Sequence, residues 1–238
     1  WGEDMIWFLG DPHGRFDHII SLVKLHQPAA IVFLGDLECG LPLNVILKPI
    51  LDLTQIWFIH GNHDTDTQAH WDNHTQSGLG HRNLHGRVVE IDGVRIAGLG
   101  GTFESPVWLP GDKDTGLQNY QDFLDRLAYS HQHEETLESK RRIALSSIFP
   151  DDYFKLAMES ADVLVCHEAP SCHPYGYSEI NDLAKTLGVK KVFHGHHHDS
   201  LDYGGHWRSM GFEAYGVCFR GIKSIEGKTL YSVSNRPY

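Results

Sequence analysis

The organisation of this chain is decided by the stretch Ile31-Val32-Phe33-Leu34-Gly35-Asp36, an apolar run that ends in glycine and a carboxylate. The run is short and rich in β-branched and aromatic residues, which is typical of a strand buried on both faces of a parallel sheet. In open α/β sheets, ligands bind beyond the carboxyl ends of the strands. We therefore expect the carboxylate of Asp36 at a functional edge of a sheet.

The same pattern occurs at four other places along the chain. The apolar runs at 5–9, 56–59, 162–166 and 191–193 each lead into aspartate, asparagine or histidine. The carboxyl ends of parallel strands meet at one edge of a sheet, so these polar side chains are expected to lie close together. The sequence thus predicts a cluster of oxygen and nitrogen donors at that edge.

Such donors indicate a particular kind of metal site. Carboxylate, amide and imidazole groups suit Mn, Fe or Zn better than a structural zinc site built from cysteines. The number of donors exceeds what one ion needs. It fits two divalent ions bridged by one carboxylate, an arrangement that activates water and holds a phosphoryl group.

Composition limits the remaining possibilities. The chain has 238 residues, 41% of them hydrophobic, which is enough for one large core, and we predict a single domain over 1–238. The net charge of −11 argues against a long nucleic acid as substrate or partner. The four cysteines form no CxxC pair, no apolar run reaches a membrane span of about 18 residues, and no signal-peptide pattern opens the sequence. We therefore expect a cytoplasmic protein that does not enter a membrane.

Periodicity predicts the other elements. Helices are expected at 17–26, 65–74 and 180–187, with a short one within 41–51, and Asp92-Gly93 predicts a hairpin turn. The segments 116–147 and 151–160 have helical patterns, so about 112–160 is predicted as a helical insertion or cap. Strands are expected again at 217–225 and 229–233.

In this order, the motifs resemble those of the calcineurin-like metallophosphoesterases. The motifs are Asp11-Pro12-His13, Gly35-Asp36, Gly61-Asn62-His63-Asp64, a lone His167, and Gly195-His196-His197-His198. They extend from residue 11 to residue 198. The resemblance implies an α/β fold, a four-layer αββα sandwich of two mixed β-sheets flanked by helices.

The resemblance also implies roles for individual residues. Asp11, His13 and His198 would hold a first divalent ion, and Asn62, His167 and His196 would hold a second. Asp36 would bridge the two ions. His63 would stand beside the phosphoryl group as general acid, with Asp64 as its orienting partner. We expect Mn, with Fe or Zn as alternatives.

One branch of the family fits less well. Protein Ser/Thr phosphatases carry an Asp-Arg pair shortly after Gly-Asp, and glutamate after Gly-Asn-His. Here those places hold Leu37-Glu38-Cys39 and Asp64. The pattern therefore does not favour activity of that branch.

The expected activity is hydrolysis of a small phosphorylated substrate, a phosphate monoester or diester, by a hydroxide bridging two ions. Two alternatives stay open. One is a nuclease or cyclic-nucleotide phosphodiesterase of the same fold. The other is a binding or scaffold protein that keeps the fold without turnover, although degenerate members lose ligands that this chain retains.

Overall fold

Two five-stranded mixed sheets form the centre of the computed structural model, which describes residues 6–130 and 133–233. The first sheet has the order β10-β9-β1-β2-β3, where the strands are β1 (Ile6–Leu9), β2 (Ala30–Phe33), β3 (Gln55–Phe58), β9 (Ile222–Ser224) and β10 (Thr229–Tyr231). Strands β1, β2 and β3 are parallel, and β9 and β10 are antiparallel to their neighbours. Met5, which we predicted in the first strand, lies outside the described residues.

The second sheet follows the strands in chain order. It consists of β4 (Arg87–Ile91), β5 (Val94–Leu99), β6 (Val163–Cys166), β7 (Lys191–His194) and β8 (Glu213–Gly216). Strands β5 to β8 are parallel, whereas β4 and β5 form the predicted hairpin. Asp92 and Gly93 both have positive φ, as a tight two-residue hairpin turn requires.

Helices cover the outer faces of both sheets. The helices in the described ranges are α1 (Asp17–His26), α2 (Leu43–Ile46), α3 (Gln68–Thr75), α4 (Tyr120–Ala128), α5 (Glu134–Leu145), α6 (Pro150–Leu156), α7 (Ser178–Leu187) and α8 (Trp207–Met210). Short 3₁₀ turns lie at Lys48–Ile50, His63–Thr65 and Gly80–Arg82. None of the helices within 6–130 and 133–233 is long and apolar enough to cross a bilayer.

The alternation of side chains between the two faces of each strand explains why the fold has several layers. In β1, Phe8 packs into the core between the two sheets, where its ring stacks on that of Phe193 at 4.0 Å. Its neighbour Leu9 points to the other face, into a core shared with Ile19 of α1. Because side chains of a strand alternate between faces, a run that is apolar throughout must be covered on both. The arrangement of helix, sheet, sheet and helix confirms the predicted four-layer αββα fold.

In the part of the chain that the structure describes, the predicted helical block between β5 and β6 contains three helices. The expected pattern at 116–147 is divided into α4 and α5, and α6 follows. Leu117, Phe123, Leu127, Leu137 and Phe149 form a separate small core within this block. The hydroxyl of Ser146, just past α5, lies 2.9 Å from that of Thr65 and so connects the block to the strand ends.

The chain after residue 210 differs from our prediction. A strand was expected over 217–225, but β9 begins only at Ile222, and β8 ends at Gly216. The intervening segment passes against Gly10, where an added Cβ would lie 2.4 Å from the carbonyl oxygen of Cys218. Arg220 has φ of 55°, which no strand residue adopts. This close passage and the left-handed residue interrupt the apolar run.

Candidate metal centre

The predicted donor side chains converge from both sheets. Asp36 follows β2, and its Oδ2 lies 3.7 Å from Nε2 of His13 and 3.4 Å from Nε2 of His167. His167 follows β6 in the second sheet, and its Nε2 is 3.1 Å from Oδ1 of Asn62, which follows β3. The edges of the two sheets therefore meet around Asp36.

Two of the groups of donor atoms in the described chain have Asp36 in common. His13, Asp36 and His198 offer atoms within 4.8 Å of one another, and so do Asp36, His167 and His196. Nε2 of His13 and Nε2 of His198 are 3.0 Å apart. Two nitrogen ligands at right angles on one ion, with bonds of about 2.1 Å, would be separated by about 3.0 Å. The spacing of these two rings fits a shared cation.

Asp11 completes the arrangement from β1. Its Oδ2 accepts a hydrogen bond from the backbone N–H of His196 at 2.9 Å and lies 3.9 Å from Nε2 of His198. Its Oδ1, like Oδ2 of Asp36, is buried without a hydrogen-bond partner in the described chain. Buried carboxylate oxygens normally have a partner, and a cation would supply one here. The residues present thus fit two divalent ions.

Backbone strain is concentrated at the same place. Among the predicted ligands, positive φ occurs at Asp11, His13, Asp36, His196 and His198. Residues other than glycine adopt this region rarely and at a cost of about 1–3 kcal/mol, and such residues cluster at functional sites. The strand ends are therefore bent to aim these side chains at one point.

Two glycines make the convergence possible. An added Cβ at Gly61 would lie 2.3 Å from Oδ1 of Asp36, and one at Gly195 would lie 2.6 Å from Oδ1 of Asp11. Any larger residue would displace the carboxylates themselves. The glycines in the Gly-Asn-His and Gly-His motifs are required by this close approach.

Hydrogen bonds fix the orientation of two histidine rings. Nδ1 of His167 donates to the carbonyl oxygen of Leu34 at 2.7 Å, which leaves Nε2 free toward Asp36. Nδ1 of His13 lies 3.1 Å from Oε1 of Glu38, so its Nε2 faces His198. An acceptor on one ring nitrogen orients the other for a metal, as is common at such sites.

Burial and neighbouring charges shift the pKa values of three side chains in this cluster. Burial raises the pKa of Asp11 to about 8. Burial lowers the pKa of His167, but the charges of Asp36 and Asp11 raise it further, to about 10 overall. Burial lowers the pKa of His196 to about 3, so this ring is neutral and its lone pair is available.

The contact predicted between His63 and Asp64 is wrong. Asp64 is fully buried, and its two oxygens accept hydrogen bonds of 2.9 Å from the backbone N–H groups of Glu38 and Gly61. Nδ1 of His63 instead lies 2.9 Å from Oδ2 of Asp66. Residues 63–65 form a 3₁₀ turn, in which side chains three apart lie on the same side. Asp64 therefore connects two loops, and Asp66 contacts the histidine.

A pocket opens beside the candidate metal centre, with a volume of about 350 Å³. Its lining includes Asn62 and His196 together with Glu104 and Glu168. Burial raises the pKa of Glu168 to about 7 and raises that of Glu104 as well. Our sequence analysis did not identify Glu38, Asp66 or Glu168 as site residues, although all three lie within three residues of a predicted site residue.

Histidines 194 and 197 of the predicted cluster have other surroundings. His194 is buried, with Nδ1 at 3.0 Å from the carbonyl oxygen of Gly195 and Nε2 at 3.2 Å from the hydroxyl of Tyr203. The ring of His197 stacks on that of His173 at 3.8 Å. Both rings pack beside the candidate centre.

Comparisons with known proteins identify the family of this chain. An uncharacterized protein of Haemophilus influenzae is 41% identical over 229 residues, which are 95% of this chain and 96% of that protein. The crystal structure of TT1561 of Thermus thermophilus matches with a TM-score of 0.56 at 15% identity, over 95% of this chain and 97% of that one, and so shows the same fold. The sequence model of the calcineurin-like phosphoesterases matches residues 5–200. This chain therefore belongs to the calcineurin-like phosphoesterase family.

Proposed function

We propose that this protein hydrolyses a small phosphate ester with the help of two divalent metal ions. One observation carries the proposal: Asp36, whose Oδ2 is buried and unpartnered in the described chain, belongs to both groups of converging donors. Asp11, His13 and His198 would hold the first ion, and Asn62, His167 and His196 the second. We propose Mn, with Fe or Zn as alternatives.

Two ions held in this way would lower the pKa of a water molecule and neutralise charge on phosphoryl oxygens. The protein contributes the positions of the donors and excludes solvent from Asp11 and Asp36, which are completely buried. The leaving oxygen needs a proton when its bond to phosphorus breaks. The residue we propose as the donor of that proton is His63.

The surroundings of His63 support this role. Burial lowers its pKa, but the hydrogen bond to Asp66 and the charge of Asp36 raise it more. With Nδ1 donating to Asp66, the protonated ring presents its Nε2–H to a substrate. General acid catalysis of this kind contributes roughly 10²–10⁴-fold in rate. Asp66 is a positioning residue in this proposal.

The proposal is tested with metal-free protein to which Mn, Fe or Zn is added singly. We expect turnover of an aryl phosphate that depends on metal and is abolished by Asp36→Asn, while Asp52→Asn at an exposed position serves as the matched control. A panel of monoesters, diesters and cyclic nucleotides then separates phosphatase from phosphodiesterase or nuclease activity. Stoichiometric metal binding without turnover of any ester would favour the scaffold alternative.

A further inference from the structure

The pocket beside the candidate metal centre has an unusual combination of side chains. Besides Asn62 and His196, its lining includes the carboxyl groups of Glu104 and Glu168 and three aromatic rings, those of Phe103, Tyr175 and Tyr177. Among the described residues that line it there is no lysine or arginine. Its charged lining groups other than histidine are therefore acidic.

Glu168 is part of an ordered wall of the pocket. Glu168 is only 3% exposed, and its Oε1 accepts a hydrogen bond of 3.0 Å from the backbone N–H of Phe103. The rings of Phe103 and Tyr177 are 4.9 Å apart and steeply inclined to each other. Tyr177 is itself anchored by its N–H to the carbonyl oxygen of Ala169, directly after Glu168. The carboxyl group and the rings are thus held together by backbone contacts.

This lining restricts what the pocket can bind. A substrate phosphate would be neutralised by the ions, so the two glutamates are not needed for it and would repel a second anionic group. A carboxyl group as buried as that of Glu168 is costly to keep charged, and a cation beside it stabilises the charged form. Aromatic faces also attract cations, and most strongly where water is excluded. Carboxylates together with aromatic rings match a positively charged nitrogen.

We propose that this pocket receives the organic part of the substrate, and that this part carries an ammonium or other cationic nitrogen. The inference rests on the proposed phosphoesterase function and specifies its substrate class. In such a substrate the phosphate would bind at the candidate metal centre. The cationic nitrogen would bind between Glu104, Glu168 and the ring of Tyr177.

Three matched esters test the proposal, each with a two- or three-atom chain on the phosphate: 2-aminoethyl phosphate, propyl phosphate and carboxymethyl phosphate. They carry a positive, no and a negative charge at the far end. With Mn-loaded protein we expect kcat/KM to fall in that order. The ammonium group also makes the alcohol a better leaving group. The decisive quantity is therefore the change that a substitution makes in the ratio of kcat/KM for the aminoethyl ester to kcat/KM for the propyl ester.

Glu104→Gln is expected to lower the preference for the aminoethyl over the propyl ester about tenfold. Glu104→Lys should favour the carboxymethyl ester instead. Glu135→Gln, at an exposed position of α5, is the control and should keep the wild-type ratio. An unchanged ratio in Glu104→Gln, with all esters still hydrolysed, would overturn the inference alone. If no ester and no aryl phosphate is hydrolysed with any metal, both the proposed phosphoesterase function and this inference fail.

Discussion

The position of Asp36 between the two donor groups allows a quantitative prediction about metal binding. Asp36→Asn keeps the shape of the side chain and the acceptor Oδ1, which receives a hydrogen bond of 2.9 Å from the N–H of His63. It removes the charge from Oδ2, which lies within 3.7 Å of both His13 and His167. The variant should therefore fold but bind both ions weakly.

The magnitude follows from linkage between binding and folding. Metal at one hundred times Kd stabilises a folded protein by about 2.7 kcal/mol when it does not bind the unfolded chain. For a chain of this size, that corresponds to a rise in Tm of about 5–11 °C for each ion bound. If the loss of the shared carboxylate weakens binding about a hundredfold, the same metal concentration stabilises the variant by only about 0.4 kcal/mol. The expected rise in Tm is then about 1–2 °C for each ion.

Thermal unfolding with and without Mn measures this directly, together with the metal content of dialysed protein. Wild type and the Asp52→Asn control should show the full rise in Tm and two ions per chain. Asp36→Asn should show neither. Equal rises in Tm and equal metal contents for the two variants would refute the shared-ligand role of Asp36.

Four further results are expected. His63→Ala should retain metal and lose roughly 10²–10⁴-fold in kcat, most for esters with poor leaving groups, and normal turnover of such esters would rule out the acid role. Asp66→Asn should lower kcat about 10–100-fold with unchanged metal content and move the alkaline limb of the pH–rate profile to lower pH, because the carboxylate that raises the pKa of His63 is gone. Metal binding should release protons at pH 7 and tighten as pH rises toward 8, because Asp11 with a pKa of about 8 must lose its proton. Calorimetry in two buffers of different ionisation enthalpy measures the number of protons released. Phe193→Ala should cost about 3–5 kcal/mol in denaturant unfolding, since it removes the ring stacked on Phe8 between the sheets.

Much of the fold was predictable because local patterns and tertiary burial agree. Helix α1 has both predicted ends, and the apolar runs before Asp36 and His167 are strands. These runs are apolar on both faces, so few other structures could bury them. The elements that the pattern missed, such as β8, have polar or small residues on a partly exposed edge of the sheet.

The candidate site was predictable only in part. Residues directly after the strands were found because parallel strands bring their ends together. The partner of His63 was not, since whether Asp64 or Asp66 faces the ring depends on the 3₁₀ turn that follows Asn62. Glu168 directly follows His167, but its place in the pocket was missed because the pocket also includes residues from distant segments, such as Phe103 and Tyr177. Residues that come together from distant segments leave no pattern in the local sequence.

The division of donors between the two sheets has a consequence for assembly. Asp11, Asp36 and Asn62 come from one sheet, whereas His167 and His196 come from the other, so an ion bound among them would cross-link the two halves of the sandwich. Neither half could offer a complete coordination sphere before docking. Cation binding should therefore accompany the last step of folding, the docking of the two sheets. Removal of the cation by a chelator should first increase amide hydrogen exchange where the strand ends of the two sheets face each other.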